Sequence, residues 1–184
     1  MRRTEVLHRS RTRRGGFIYV WLLLSVALIA LGLSRAAEAY RTSLQRENEA
    51  SLLAIGHEFR AAFWSYSRVS LQGRNVSPFA RYPTSLSDLL EDPRMAGTRR
   101  HLRKIYVDPM TGRAEWGLVK VGDRIVGVFS LSAREPIKQG NFDPEDLTLE
   151  GRSKLSEWWF MYPADMRALD LSGGMKKALP EGRS

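Results

Sequence analysis

Gly15-Gly16-Phe17-Ile18-Tyr19-Val20-Trp21-Leu22-Leu23-Leu24-Ser25-Val26-Ala27-Leu28-Ile29-Ala30-Leu31-Gly32-Leu33 is the stretch that decides the fold of this chain. No charge interrupts it before Arg35. A helix of this composition nearly spans a hydrocarbon core of ~30 Å, and interfacial flanking residues supply the rest. The apolar spacing then continues through Ala36, Tyr40, Leu44, Leu52, Ile55, Phe59, Ala62, Phe63, Tyr66 and Val69. Steps of three, four or their multiples mark one face of a helix. No proline falls between Phe17 and Val76. The pattern therefore predicts one helix from Phe17 to Ser70, roughly 80 Å long, of which only the first part fits a bilayer. Residues 17–35 are expected to cross the membrane and residues 36–71 to extend the same helix beyond it.

The flanking charge gives the orientation. Residues 1–16 hold six arginines and one glutamate, so +5 of the formal +9 lies directly before the apolar run. Basic residues on one flank place that flank in the cytoplasm, and the C-terminal part then lies across the membrane. Much of the high net charge is thereby explained by topology, which argues against nucleic acid as a partner. The chain has no cysteine, which excludes a disulfide framework and a thiolate metal site.

Three export signals compete for the first forty residues. A secretory signal peptide would use the arginines, the apolar run and the small-residue site Ala37-Glu38-Ala39. Its apolar run is longer than a usual signal core, and the helical period crosses the cleavage site unbroken. A twin-arginine signal would use Arg13-Arg14, but Gly15-Gly16 sets Phe17 one place late for it. The third is a basic leader of residues 1–16 ending in glycine, then Phe17 and an apolar helix.

Residues 72–162 are expected to form a small globular α+β domain, and residues 163–184 a flexible tail. Gln72 to Arg81 reads as a loop. Ser85 to Leu90 reads as a short helix, with Ser85 and Asp88 at capping-box spacing and Leu86, Leu89 and Leu90 on its buried side. A basic run follows, Arg99, Arg100, His101, Arg103 and Lys104, read as a solvated face. Asp108-Pro109-Met110-Thr111-Gly112 is turn chemistry. Ala114–Val121 and Arg124–Leu131 read as strands joined at Gly122-Asp123, a two-residue hairpin signal. Leu155–Tyr162 is a third, aromatic strand.

Catalytic sets are missing. There is no Gly-x-Ser-x-Gly, no His-Glu-x-x-His and no phosphate-binding Gly-Lys-Ser/Thr loop. His8, His57 and His101 lie in unrelated contexts, and His57 reads as a contact on the helix surface. Asp143, Glu145 and Asp146 form a small acidic cluster with oxygen ligands that could hold Ca²⁺, but a solvated loop is the preferred reading. No motif for a cofactor or for catalysis is present, so the chain reads as a non-enzyme.

Gly15-Gly16-Phe17 before a long helix, Tyr82-Pro83 with Leu86-Leu89-Leu90, and Asp108-Pro109-Met110-Thr111-Gly112 with Trp116-Gly117 together resemble the type II secretion pseudopilins. The likeness is to their protein-G-like members, within the type IV pilin-like superfamily. Gly127-Val128, Ser130-Leu131-Ser132, Asn141-Phe142 and Trp158 to Tyr162 extend it over most of residues 14–162. The resemblance implies an N-terminal helix packed on a small antiparallel sheet and cleavage between Gly16 and Phe17 by a prepilin peptidase, with methylation of the new amine. It also implies assembly with other pseudopilins on the inner-membrane platform of the secretion system, with the C-terminal part in the periplasm. Those families carry Glu at the fifth position after cleavage, where this chain has Trp21. That departure suggests a minor or tip-like subunit. The calcium loop of the major pseudopilin is not recognisable, so no metal ligands are carried over. The alternative is a membrane-tethered periplasmic binding module, or a minor pilin of a DNA-uptake or type IV pilus system using the basic run.

Overall fold

The computed structural model describes residues 15–69, 81–95, 97–164 and 175–178. The basic leader up to Arg14, the loop from Gln72 to Ala80 and much of the expected tail lie outside them. The architecture is α+β. The chain divides into two compact units, one up to Ser43 and one from Leu44. A single helix, α1 (Gly15–Ser67), contributes residues to both. It ends three residues short of the expected Ser70. Its last turn tightens, with Val69 N–H donating to Tyr66 O at 3.3 Å, as helix ends do when their carbonyls lose intrahelical partners.

In the first unit every side chain from Phe17 to Ser43 is exposed, save a half-buried Ser25. Two of the serine hydroxyls there are satisfied within the helix. Ser25 Oγ donates to Leu22 O and Ser34 Oγ to Ala30 O, which hides a polar group that lipid could not solvate.

In the second unit α1 turns amphipathic. Glu49, Leu52, Gly56, Phe59, Phe63 and Tyr66 are buried at steps of three and four. Such a stripe must be covered by another layer. The cover is a four-stranded antiparallel sheet made of β1 (Gly117–Val121), β2 (Arg124–Phe129), β3 (Trp159–Met161) and β4 (Met175–Ala178), in the order β3-β2-β1-β4. The expected third strand divides into a 3-10 turn, Leu155–Glu157, and β3. β4 lies inside residues 163–184, read above as a tail, and pairs with β1 from Leu118↔Ala178 to Val121↔Met175.

The hairpin between β1 and β2 forms where Gly122-Asp123 predicts it. Gly122 has φ +63°, and Asp123 keeps a negative φ, the pattern of a turn that needs glycine only at its first central position. The register then slips. Val119 pairs with Gly127 but Lys120 pairs with Ile125, so Val126 is an extra residue. A bulge resets the two-residue alternation. Ile125 and Val128 therefore both join the core against α1, while Val126 and Phe129 both join a second cluster with Val119 and Met161. Phe59 anchors the first core, edge-on to Trp116 with ring centroids 5.1 Å apart.

α2 (Ser87–Leu90) is a single turn. Asp88 reaches back to the N–H groups of Thr84 and Ser85 at 2.9 and 3.1 Å, the carboxylate half of the expected capping box. Leu89 is fully buried, with Leu86 and Leu90 packed against the core beside it. At the Asp-Pro-Met-Thr-Gly turn the Asp108 carboxylate is buried. It accepts Met110 N–H at 2.8 Å, Thr111 Oγ1 at 3.1 Å and Ser130 Oγ at 2.7 Å, which ties the turn to the residue after β2.

Candidate functional site

The first candidate is the start of α1. Gly16 lies in its first turn, and Phe17 and Trp21 follow four residues apart, so they share one face one turn apart. Both are exposed, as are the large apolar side chains from Ile18 to Leu33. No Asp, Glu, Lys or Arg falls between Phe17 and Ser34. Among the described residues, α1 is the one helix long and apolar enough to cross a membrane. A single pass of about 18 residues covers roughly 27 Å, close to the hydrocarbon thickness.

The second candidate lies at the other end of α1. His101 bridges two partners: its Nδ1 lies 2.8 Å from Ser65 Oγ and its Nε2 lies 3.1 Å from Asp92 Oδ2. The imidazole is fully buried although it belongs to the basic run read as solvated, whose Arg99, Arg100, Arg103 and Lys104 are exposed. The composition is that of a hydrolytic triad, but the setting differs. Ser65 stands inside α1, where neighbouring N–H groups are committed to helical carbonyls and cannot cradle an oxyanion. Asp92 serves a second master. Arg94 donates to its carboxylate through Nε at 2.8 Å and Nη2 at 2.7 Å, and Nη2 also donates to Tyr66 O at 2.8 Å. A guanidinium on one of the last carbonyls of α1 is a C-terminal cap in helix-dipole terms. The Arg94 guanidinium carbon also sits 3.5 Å from the centre of the Tyr66 ring. The array pins the 92–101 loop to the end of α1.

These contacts set the ionisation. Burial alone would raise the Asp92 carboxyl, but the hydrogen bonds from Arg94 and His101 outweigh it and hold it at about 2. Burial pushes the His101 imidazole below its ordinary value, with Asp92 opposing. Burial likewise raises the Tyr66 hydroxyl to about 12. Sequence spacing concealed the array, since Ser65 and Asp92 lie 36 and 9 residues from His101.

Two further contacts fasten α1 to the loops. The Glu49 carboxylate accepts the N–H groups of Ile137 at 2.8 Å and Lys138 at 3.0 Å, and Gln45 donates to Glu135 O at 2.8 Å. The acidic cluster is not a solvated loop throughout. Asp146 is buried, 2.6 Å from His57 Nε2 and 2.9 Å from Arg60 Nη1, while Glu145 stays exposed. The Asp146 carboxylate is thus committed to His57 and Arg60 of α1. Among the described residues no three His, Cys, Asp or Glu side chains come together to hold a metal ion.

Comparison with protein-family models, with curated proteins and with solved structures finds no match to this chain. The described residues form a long N-terminal apolar helix and a small antiparallel sheet.

Proposed function

We propose that this chain is a pilin-like structural subunit of a type II secretion pseudopilus, in a minor or tip-like position, assisting export across the outer membrane. In this reading residues 17–35 cross the inner membrane, the N-terminus is cytoplasmic and the globular part is periplasmic. Its partners are other pseudopilins, the prepilin peptidase and the inner-membrane assembly platform. The observation that carries the reading is the continuity of α1. One helix presents an exposed apolar surface from Phe17 to Leu33 and a buried stripe from Glu49 to Tyr66. A removable signal peptide does not require that continuity, and a plain tether does not require Gly16-Phe17 at its cytoplasmic edge. The chain then acts mechanically, by helix packing, and not as an enzyme.

The test is N-terminal sequencing of the protein recovered from membranes of cells that carry a prepilin peptidase. The mature chain should begin at Phe17 and remain membrane-bound. A start at Tyr40, or a soluble product, refutes the proposal. An uncleaved, membrane-bound chain supports the tethered-module alternative instead.

A further inference from the structure

We propose that the groove beside α1 formed by His57, Arg60, Ala61, Trp64, Glu145 and Pro163 binds an uncharged polypeptide segment, with Arg60 taking a main-chain carbonyl and Trp64 an apolar side chain. The inference does not rest on the pilin-like reading. The groove holds about 420 Å³, the lower range of small-ligand sites, with room for one or two residues.

Arg60 is the reason to expect a ligand. Its side chain is 8% exposed. Its Nη1 lies within ion-pair distance of Asp146 Oδ1, yet is not aligned as a hydrogen bond, and Nε and Nη2 have no acceptor at all. Buried donors in folded proteins are almost always paired, because an unpaired one forfeits its hydration without return. The Nε–Nη2 edge of a guanidinium is a two-pronged donor that suits a planar oxygen acceptor.

Charge selects the kind of acceptor. Asp146 already balances Arg60, and Glu145 Oε2 adds a further negative charge 3.7 Å from Nη1. An incoming carboxylate would meet that excess, whereas a neutral amide completes Arg60 without adding a charge. The rest of the groove suits the flanking side chain. Ala61, Trp64 and Pro163 are apolar, and Trp64 is 43% exposed although the Arg68 guanidinium lies over its ring, 5.2 Å from the centroid. Exposed tryptophan and buried arginine are the residue types that dominate binding surfaces. The guanidinium is covered in the free protein, so the side chains over it must shift to admit the carbonyl.

The full-length chain in detergent micelles, labelled at arginine nitrogen, is titrated with N-acetyl-L-phenylalaninamide. Arg60→Lys identifies the Arg60 Nε–H signal. That signal should move saturably with a roughly millimolar Kd, as expected for a ligand of this size. The anionic N-acetyl-L-phenylalanine should bind about fivefold more weakly or worse. Ala61→Trp fills the groove from an exposed helix position, so the fold survives, and should weaken binding at least about tenfold. No saturable movement of Arg60, equal or tighter binding of the anion, or unchanged binding to Ala61→Trp would each overturn the proposal.

Discussion

Gly56 and Phe160 occupy the same space by turns: the ring of Phe160, from β3, fills the position where a side chain on residue 56 of α1 would begin. A Cβ there would overlap three ring atoms. Glycine inside a helix weakens it by about 1 kcal/mol relative to alanine. Here that weakness is offset by close packing of helix on sheet, since Phe160 is fully buried against Leu52, Phe59 and Phe63.

Gly56→Ala should therefore destabilise the globular unit although it improves helix propensity. Overpacking of this kind costs about 1–3 kcal/mol. Gly32→Ala is the control, because nothing lies within 4 Å of its missing Cβ. Denaturant unfolding in detergent, followed by tryptophan fluorescence, should shift for the first variant and not for the second. If Gly56→Ala proves as stable as the parent, the packing of Phe160 on α1 is wrong.

Glu49 offers a second test. Glu49→Ala leaves two N–H groups, of Ile137 and Lys138, without their carboxylate. Unpaired, partly buried donors cost about 1–3 kcal/mol each. Amide hydrogen exchange at Ile137 and Lys138 should accelerate more than exchange in β1 and β2. Uniform acceleration across the sheet would show that the loop and sheet open together and that Glu49 is no local clamp.

Residue spacing made the helix, the β1–β2 hairpin and the leucine face of α2 legible, because each is a local pattern. Glu49 was half-legible: it lies three residues before Leu52 on the apolar stripe, so its burial follows from position, although the polar context of Arg41 to Glu49 disguised it. Other features depend on contacts that spacing does not encode. The pairing of β4 with β1 follows a long excursion of chain, and Met175–Ala178 has two lysines that read as surface. Asp146 looked like one member of an acidic loop until His57 and Arg60, nearly ninety residues away on α1, met it. The turn at Asp108 was legible, but not the reach of its carboxylate to Ser130. The candidate processing and assembly positions, Gly16, Phe17 and Trp21, were read by resemblance, and their roles remain proposals for experiment.

The Asp92–His101 pair predicts loss of stability in acid. In the folded chain His101 is held below 6.5 and Asp92 at about 2, against an ordinary 3.8. Both groups bind protons more weakly folded than unfolded, so the unfolded chain takes up more protons and stability falls as pH falls. The His101 contribution is complete above about 6.5 and fades below it. The Asp92 contribution is present above about 3.8 and is lost as pH falls to about 2, an effect of about 2 kcal/mol. His101→Gln, which cannot titrate, should flatten the limb just below about pH 6.5, while the lower limb, held chiefly by the Arg94 hydrogen bonds to Asp92, persists in reduced form. Unfolding free energies that rise on acidification through both ranges would contradict the geometry.

Trp21 bears on assembly. In the pseudopilin families named in the proposal, the fifth-position carboxylate pairs with the N-terminal amine of a neighbouring subunit. A carboxylate near the bilayer interior costs about 2.5–3.5 kcal/mol on insertion scales, and pairing relieves that cost, so it draws subunits together. Trp21 is uncharged and exposed on α1, and its indole suits the membrane interface. On the proposed function, a chain cleaved before Phe17 offers its new amine to a neighbour's carboxylate but cannot return the contact. Overproduced alone, the protein should stay as membrane monomers. Trp21→Glu should insert less readily by itself yet associate with its own kind, seen as cross-linked dimers and higher species in membranes. The decisive comparison is between the two proteins under identical expression. Long homopolymers of the parent chain, or no gain in self-association for Trp21→Glu despite normal insertion, would show that helix packing alone drives assembly and that Trp21 is only a lipid anchor.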